Sequence, residues 1–407
     1  MSRPRLLVLA STWPGRADDG TPSFVRDLAV EEGEVFEVRA LVPAVPGGRG
    51  GERDGPVLVR RYRYFPRAFE DLAHGAILEN LRKRPSRWLQ LPSFLIAQFI
   101  ATRRAVRSFR PDVLHVHWIV PQGIIAVLAA PGVPKLVTSP GGDIYALDLA
   151  PVRWLKRRVL VNADRVTVMN REMADRAVAL GAPHGRVSVL PMGTRRPDAA
   201  PVPAVVETVS SDPSPRRDAP PTRIFFIGRL VEKKGVQVLL AALRSLPPGR
   251  AWELRIGGDG PLRAELTAVA AGLPVTFLGQ LDRTALAAEF RGAGLVVFPS
   301  VLATSGDQDG LPVALLDALA AGVAIVASAL PGLDEAVVDG VSGVLVPSGD
   351  AGALADAIAR LLSDDELRAR LARGALHRAG DYTIEGAGER YRALLLEILS
   401  EHPSAPR

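Results

Sequence analysis

The chain has 407 residues, 47% of them hydrophobic and 23% charged, a length long for one core and natural for two. It contains no cysteine, which excludes disulfides, thiol nucleophiles and cysteine-ligated metals and permits a reducing compartment. The net charge of +6 is uneven: residues 1–196 hold 30 Lys+Arg against 18 Asp+Glu, a net of +12, leaving 20 against 26, or −6, for the rest, so the first half is expected to face something acidic.

The first apolar run, residues 5–10, has the length of a buried strand and ends at Trp13-Pro14-Gly15. No long uncharged apolar run follows the basic residues at the amino terminus, so a secretory leader is not expected and the setting reads as cytoplasmic. Asp19-Gly20-Thr21-Pro22 then turns the chain into a helix from about Phe24. Two basic clusters follow: Arg60, Arg61, Arg63 and Arg67, then Arg82, Lys83, Arg84 and Arg87 with Trp88 and Phe94 beside them. They suit anionic lipid headgroups at the inner face of a membrane, or a phosphorylated acceptor, as well as they suit ordinary solvated faces. No recognition motif accompanies them, so nucleic acid is not an expected partner.

A helical pattern runs over 94–109, and its apolar stretch 94–101 is far short of the roughly 20 residues of a membrane span. Further buried strands are read at 112–117, 134–139 and 164–169, with a helix over 173–180. In Asp112-Val113-Leu114-His115-Val116-His117-Trp118, His115 lies mid-strand and is expected to be a hydrogen-bonded structural residue, whereas His117, nearer the strand end, is a ligand-facing candidate. Thr138-Ser139-Pro140-Gly141-Gly142-Asp143 forms a glycine turn after the next strand.

Residues 196–221 contain seven prolines among Ala, Ser and Asp, with little to bury, and read as a linker. From residue 222 to about 350, strand and helix patterns alternate, which implies a parallel sheet wrapped by helices with ligands at the carboxyl ends of its strands. At one such end the run Ile224-Phe225-Phe226-Ile227 turns at Gly228 and delivers Arg229 and Lys234, two cations able to clamp a diphosphate. Glycine turns follow at Gly257-Gly258 and Gly279, the latter ahead of Leu281. Asp309-Gly310-Leu311-Pro312 then leads into a helix carrying Asp317, with Pro312 suited to the first helical position. Carboxylates accept pairs of hydrogen bonds, which vicinal sugar hydroxyls offer, although an acidic first turn plus one solvated aspartate would read the same way.

The stretch from Asp309 to Asp317 resembles the E-x7-E signature of retaining glycosyltransferases of family 4, with Asp at both acidic places, and Gly228-Arg229-Leu230 through Lys234-Gly235 resembles that family's diphosphate clamp. His115-Val116-His117-Trp118 resembles its H-x-H-W segment, Leu190 to Thr194 the end of its first domain, and Gly20-Thr21 the turn whose amides approach the donor phosphates. Where the family carries His-Gly-x-Asp, this chain has Pro140-Gly141-Gly142-Asp143, keeping the carbonyl at the reacting centre and losing an imidazole.

The resemblance implies an α/β protein of two Rossmann-like domains with parallel sheets facing across a cleft, the GT-B arrangement. Residues 1–195 would form the acceptor-binding domain, 196–221 the Pro-rich linker, 222–378 the nucleotide-sugar-binding domain, and 379–407 a tail whose helix, read at 384–399, crosses back onto the first domain. Gly20, Thr21, Gly228, Arg229, Lys234, Gly258, Gly279, Leu281, Asp309, Gly310, Leu311, Pro312 and Asp317 would bind the donor, with Asp309 on its sugar and Asp317 on its ribose. His117, Pro140, Gly141 and Asp143 would line the acceptor or sugar-facing loop, and Arg229, Lys234 and Asp309 would carry the chemistry. The implied activity is retaining hexosyl transfer from a nucleotide-diphosphate sugar, UDP- before GDP-, to a glycan, lipid-linked or small-molecule acceptor, with no metal and no cofactor beyond that co-substrate. A non-hydrolysing sugar-nucleotide epimerase and a catalytically silent sugar-nucleotide-binding partner of another transferase are the alternatives, the second kept open by Pro140.

Overall fold

The computed structural model describes residues 3–16, 21–73, 75, 77, 80, 81, 84–145, 149–195, 221–249 and 251–402. The linker expected at 196–221, and with it Gly20, Arg82 and Lys83, therefore lies outside the described residues apart from Pro221. The chain divides into two compact units, one of residues 1–193 with 384–407 and one of 194–383.

The first unit is built on eight strands, β1 (Arg5–Leu9), β2 (Glu37–Pro43), β3 (Gly51–Asp54), β4 (Val57–Tyr62), β5 (Val113–His117), β6 (Lys135–Ser139), β7 (Arg165–Val168) and β8 (Val187–Val189). Their order is β3-β4-β2-β1-β5-β6-β7-β8, parallel throughout except where β3 pairs antiparallel with β4. β5 and β6 are buried along their whole length, as strands covered on both faces are, even though they carry His115, His117, Lys135, Thr138 and Ser139. The sheet order reverses between β1 and β5, which places the turn after β1 and His117 at the switch point where open sheets bind ligands.

The helix Ile384–Glu401 belongs to this first unit, against the helix Phe24–Glu32. Close approach is why Gly388 is a glycine, since a Cβ there would lie 2.5 Å from the Glu31 Cβ. Arg392 donates to the Glu31 carbonyl at 2.8 Å and pairs with Glu34 at 2.8 Å. Tyr391 is fully buried, its ring stacked on His115 at 5.4 Å and its hydroxyl donating to the Leu190 carbonyl at 2.7 Å. His115 in turn sits 2.6 Å from Glu32 and 2.7 Å from the Thr138 hydroxyl, the structural role expected of it. Burial raises the Glu32 carboxyl well above its ordinary value and pushes His115 down to about 3, each toward its uncharged form. Tyr391→Phe keeps the ring and loses the hydroxyl bond, and urea denaturation should find the protein about 1 kcal/mol less stable. An unchanged midpoint would show that this bond contributes nothing.

The second unit carries β9 (Thr222–Ile227), β10 (Trp252–Gly257), β11 (Val275–Gly279), β12 (Leu295–Phe298), β13 (Ala324–Ser328) and β14 (Val344–Val346), all parallel, in the order β11-β10-β9-β12-β13-β14. One layer of its core joins Ile224, Phe226, Leu254, Ile256 and Val297 to the helices Val236–Arg244 and Ala351–Ser363. Its switch point lies between β9 and β12, so whatever follows Ile227 and Phe298 is brought to one place. The tail expected from residue 379 begins later: the turn Ala379–Tyr382 belongs to the second unit, where the Tyr382 carbonyl accepts from the Thr194 amide at 2.8 Å. The switch from first to second unit likewise falls at Gly193/Thr194, two residues before the boundary read at 195.

Candidate functional site

After β9 the chain turns through Gly228 and exposed Arg229 into the short 3-10 turn Glu232–Lys234, which Gly235 ends in the left-handed region at φ 65°. After β12 it passes Pro299 and Ser300 into the loop that reaches Asp309. The two segments are fastened together: the Val301 amide donates to the Lys233 carbonyl at 2.9 Å, and the Thr304 amide and hydroxyl donate to the Glu232 carboxylate at 2.9 and 3.0 Å. Only glycine fits at 235, because a Cβ would stand 1.7 Å from the Pro299 carbonyl oxygen.

The result is a compact charged group. Lys234 Nζ donates to Asp309 Oδ2 at 2.8 Å, and Ser300 Oγ donates to the same oxygen at 2.9 Å. Lys233 Nζ reaches Asp307 at 3.1 Å, the Gln308 carbonyl at 3.3 Å and Asp309 Oδ1 at 3.8 Å. Burial pushes the Asp309 carboxyl up, but the charges of Lys234 and Lys233 and the hydrogen bonds from Lys234 and Ser300 outweigh it, so its pKa falls below the ordinary 3.8. Asp309 is thus a buried carboxylate held ionised by two cations, able to accept further hydrogen bonds.

A depressed folded-state pKa stabilises the fold above the unfolded value, and that contribution is lost as pH falls through the folded one. Asp309→Asn removes the titration, so its stability deficit relative to the natural protein should be full near neutrality and shrink as pH drops below about 4. Chemical denaturation at a series of pH values checks this, and a deficit independent of pH would contradict it.

Pro312 stands just outside the helix Val313–Ala321, at its cap with ψ 125°, rather than at the first helical position the sequence pointed to. Its extended ψ lets the loop swing from Asp309 into the helix, and Gly310, Leu311 and Pro312 are all buried there. Asp317, on the helix, accepts a hydrogen bond from the Thr194 hydroxyl. Gly258 serves the packing of neighbouring turns: its φ is 113°, a Cβ would meet the Gly228 carbonyl at 2.0 Å, and its amide donates to the Gly279 carbonyl at 2.6 Å. Leu281 lies beside Gly257, 2.9 Å from where a Cβ there would be.

In the first unit Thr21 lies just ahead of the helix Phe24–Glu32. His117 ends β5 fully buried, with neither ring nitrogen partnered among the described residues, and burial and neighbouring His115 keep it neutral. Gly141, at φ 128°, makes the turn between Pro140 and the short helix Gly142–Tyr145. Asp143, expected to face acceptor or sugar, is buried and used internally: Oδ1 accepts from Ser139 Oγ at 2.7 Å and Oδ2 from the Ile119 amide. It ties the turn after β6 to the turn after β5 and so places His117 and Pro140 indirectly.

The basic clusters of the sequence reading are also largely spoken for. Arg61 is buried, bonded to Glu52 at 2.9 Å and to the Pro14 carbonyl; Arg63 pairs with Glu70, Arg87 with Asp71, and Phe94 is in the core. Sequence reasoning missed Ser300, Lys233, Asp307 and Thr194. The only signal for Ser300 was its place two residues after a buried strand, and for Lys233 its place beside Lys234.

Residues 210–378 match the family described as glycosyl transferases group 1, and residues 20–193 match the glycosyl transferase 4-like domain. An amylovoran biosynthesis glycosyltransferase of Erwinia amylovora is 40% identical over 146 residues, 35% of this chain and 36% of that protein. A glycogen synthase of Mycobacterium tuberculosis is 31% identical over 292 residues, 67% of this chain and 65% of that protein. The chain thus spans less than two thirds of the length of either curated relative. Among solved structures, a sucrose-phosphate synthase from Thermosynechococcus elongatus superimposes with a TM-score of 0.76 at 21% identity, over 98% of this chain and 100% of that one, a likeness of fold.

Proposed function

We propose that this chain, which belongs to the glycosyl transferases group 1 family, transfers a hexose-type sugar from a nucleotide-diphosphate sugar to an acceptor hydroxyl with retention at the anomeric carbon. A UDP-sugar is the first expectation for the donor and a GDP-sugar the alternative; the acceptor class is a glycan, a lipid-linked sugar or a small molecule. The observation that carries the reading is the Lys234–Asp309–Ser300 group at the switch point of the second sheet, beside Arg229. Cations at strand ends there suit a diphosphate, and a carboxylate kept ionised within the same group suits the hydroxyls of the sugar attached to it.

In this reading Lys234 exchanges Asp309 for a phosphate oxygen when donor binds, and Asp309 then turns to the sugar hydroxyls. The bond between the anomeric carbon and the β-phosphate oxygen breaks, and Arg229 and Lys234 neutralise the charge that builds on the leaving diphosphate. The acceptor oxygen bonds to the same face of that carbon, and its proton passes to a phosphate oxygen. Asp317 holds the ribose, with Thr194 orienting its carboxylate. His117 and the turn Pro140-Gly141 border the acceptor.

Thermal shift with a panel of UDP- and GDP-sugars tests donor binding, since a ligand at 100 times its Kd adds about 2.7 kcal/mol to the native state. Absence of any shift across the panel would defeat the reading. Pro140 favours one second reading, a silent sugar-nucleotide-binding partner. If the backbone carbonyl is what serves the reacting centre, the natural protein transfers sugar and Pro140→His changes rate or donor preference by at most about a hundredfold. Donor binding without transfer to any acceptor, and activity switched on in Pro140→His, would favour the silent partner instead.

A further inference from the structure

One layer of the first unit contains a helix that is apolar on both faces. In the helix Gln90–Phe109 the buried stripe holds Phe94 and Phe109 together with Gln98 and Thr102, whose Oε1 and Oγ1 find no partner among the described residues, while Ile96 and Ile100 are 60% and 41% exposed. Leu89, Ile96 and Ile100 follow helical spacing along the outer face, which then continues into Arg104 and Arg107. A helix free to choose would turn its isoleucines inward. This one spends them on the outside.

Two further helices pack beside it in sequence, Ile124–Ala129 and Ala150–Val161. They extend the same character: Leu128 is exposed, and the outer face of Ala150–Val161 carries Trp154, 60% exposed, with Val161, Arg157 and Arg158. The Arg158 guanidinium lies 5.8 Å from the Trp154 ring centroid. None of these three helices contains an aspartate or a glutamate, in a protein with 44 of them. Among the described residues, the acids flanking these helices are engaged elsewhere: Asp71 by Arg87 at 2.6 Å, Asp112 by the Arg5 amide at 2.8 Å and Asp164 by the Lys135 amide at 2.7 Å.

We propose that this three-helix face docks on an anionic lipid bilayer surface. Apolar side chains and an indole ring interleaved with arginines, without carboxylates, match the acyl–headgroup boundary, where apolar groups enter and cations meet phosphates. A protein partner of ordinary composition would leave these arginines facing both signs of charge, whereas an anionic leaflet satisfies all of them. The contact is peripheral: among the described residues no helix is long and apolar enough to cross a membrane. The face is distinct from the basic clusters at 60–67 and 84–87, most of whose charges are paired internally.

The full chain is mixed with phosphatidylcholine vesicles, with and without ~30% phosphatidylglycerol, and sedimented at low and high salt. Binding about tenfold stronger to the anionic vesicles, weakened by salt, is expected. The triple variant Ile96→Ser, Ile100→Ser, Trp154→Ser and the double variant Arg157→Glu, Arg158→Glu should each reduce it by about tenfold. All five side chains are exposed, so circular dichroism should show unchanged melting and separate lost docking from lost folding. Equal sedimentation with both vesicles, or undiminished binding by both variants, would overturn the proposal. So would self-association that the same variants abolish in the absence of vesicle binding, which would give the face to a second copy of the chain.

Discussion

Replacing Lys234 with alanine is expected to lower kcat/KM for sugar transfer by about a hundredfold, and Arg229→Ala by a similar factor, because in the proposed mechanism each removes a cation meeting the charge that builds on the departing diphosphate; losing such a contact costs roughly 3 kcal/mol of transition-state stabilisation. Lys234→Ala has a second effect, through Asp309. It leaves Asp309 buried with only Ser300 at 2.9 Å and Lys233 at 3.8 Å, so the carboxyl pKa should rise and the fold should lose stability as well. Initial rates and thermal melts therefore report the two effects of Lys234→Ala separately: turnover falls as catalysis is lost, and the melt comes earlier because Asp309 loses its nearest cation. Near-normal turnover in the double variant would remove the clamp from the mechanism.

Gly235→Ala is expected to be among the most damaging single changes. The residue sits at φ 65°, where an alanine costs about 1 kcal/mol, and its Cβ would overlap the Pro299 carbonyl oxygen at 1.7 Å. Relief requires the clamp turn and the segment carrying Ser300 to separate, which breaks the Val301–Lys233 backbone bond and loosens Lys234 and Ser300, the two side chains that hydrogen-bond Asp309. A total of about 3 kcal/mol or more is expected, with transfer lost in proportion to the displaced lysine. Gly349→Ala is the control. Its φ is 79°, but nothing lies within 4 Å of the added carbon, so it should cost only the backbone term. Equal urea midpoints for the two variants would show that the close approach at Gly235 does not constrain the turn.

Much of the fold was legible because buried parallel strands write themselves as short apolar runs. Those read at 112–117, 134–139 and 164–169 appear as Val113–His117, Lys135–Ser139 and Arg165–Val168. β2 and β4 were not read. β4 carries Arg60 and Arg61 ahead of its last residue Tyr62, and the arginines look like a surface cluster in sequence, yet Arg61 is buried because Glu52 and the Pro14 carbonyl meet it there.

By itself the sequence determined the alternation of strands and helices and the placement of glycines at turns that need positive φ or close approach. These follow from local rules, since each is set by residues within a few positions; Arg229, Lys234, Asp309 and Asp317 were singled out as donor-site candidates by the spacing of motifs that resemble the family's. Tertiary structure alone decided which charges meet. Lys234 and Asp309 are 75 positions apart and join only because the sheet order reverses between β9 and β12. Thr194 reaches Asp317 across 123 positions, and Asp143 turns inward to Ile119 and Ser139 rather than toward a ligand. The exposed isoleucines of the helix Gln90–Phe109 belong to the same class: periodicity marks a helix as two-faced, and only packing decides which face is buried.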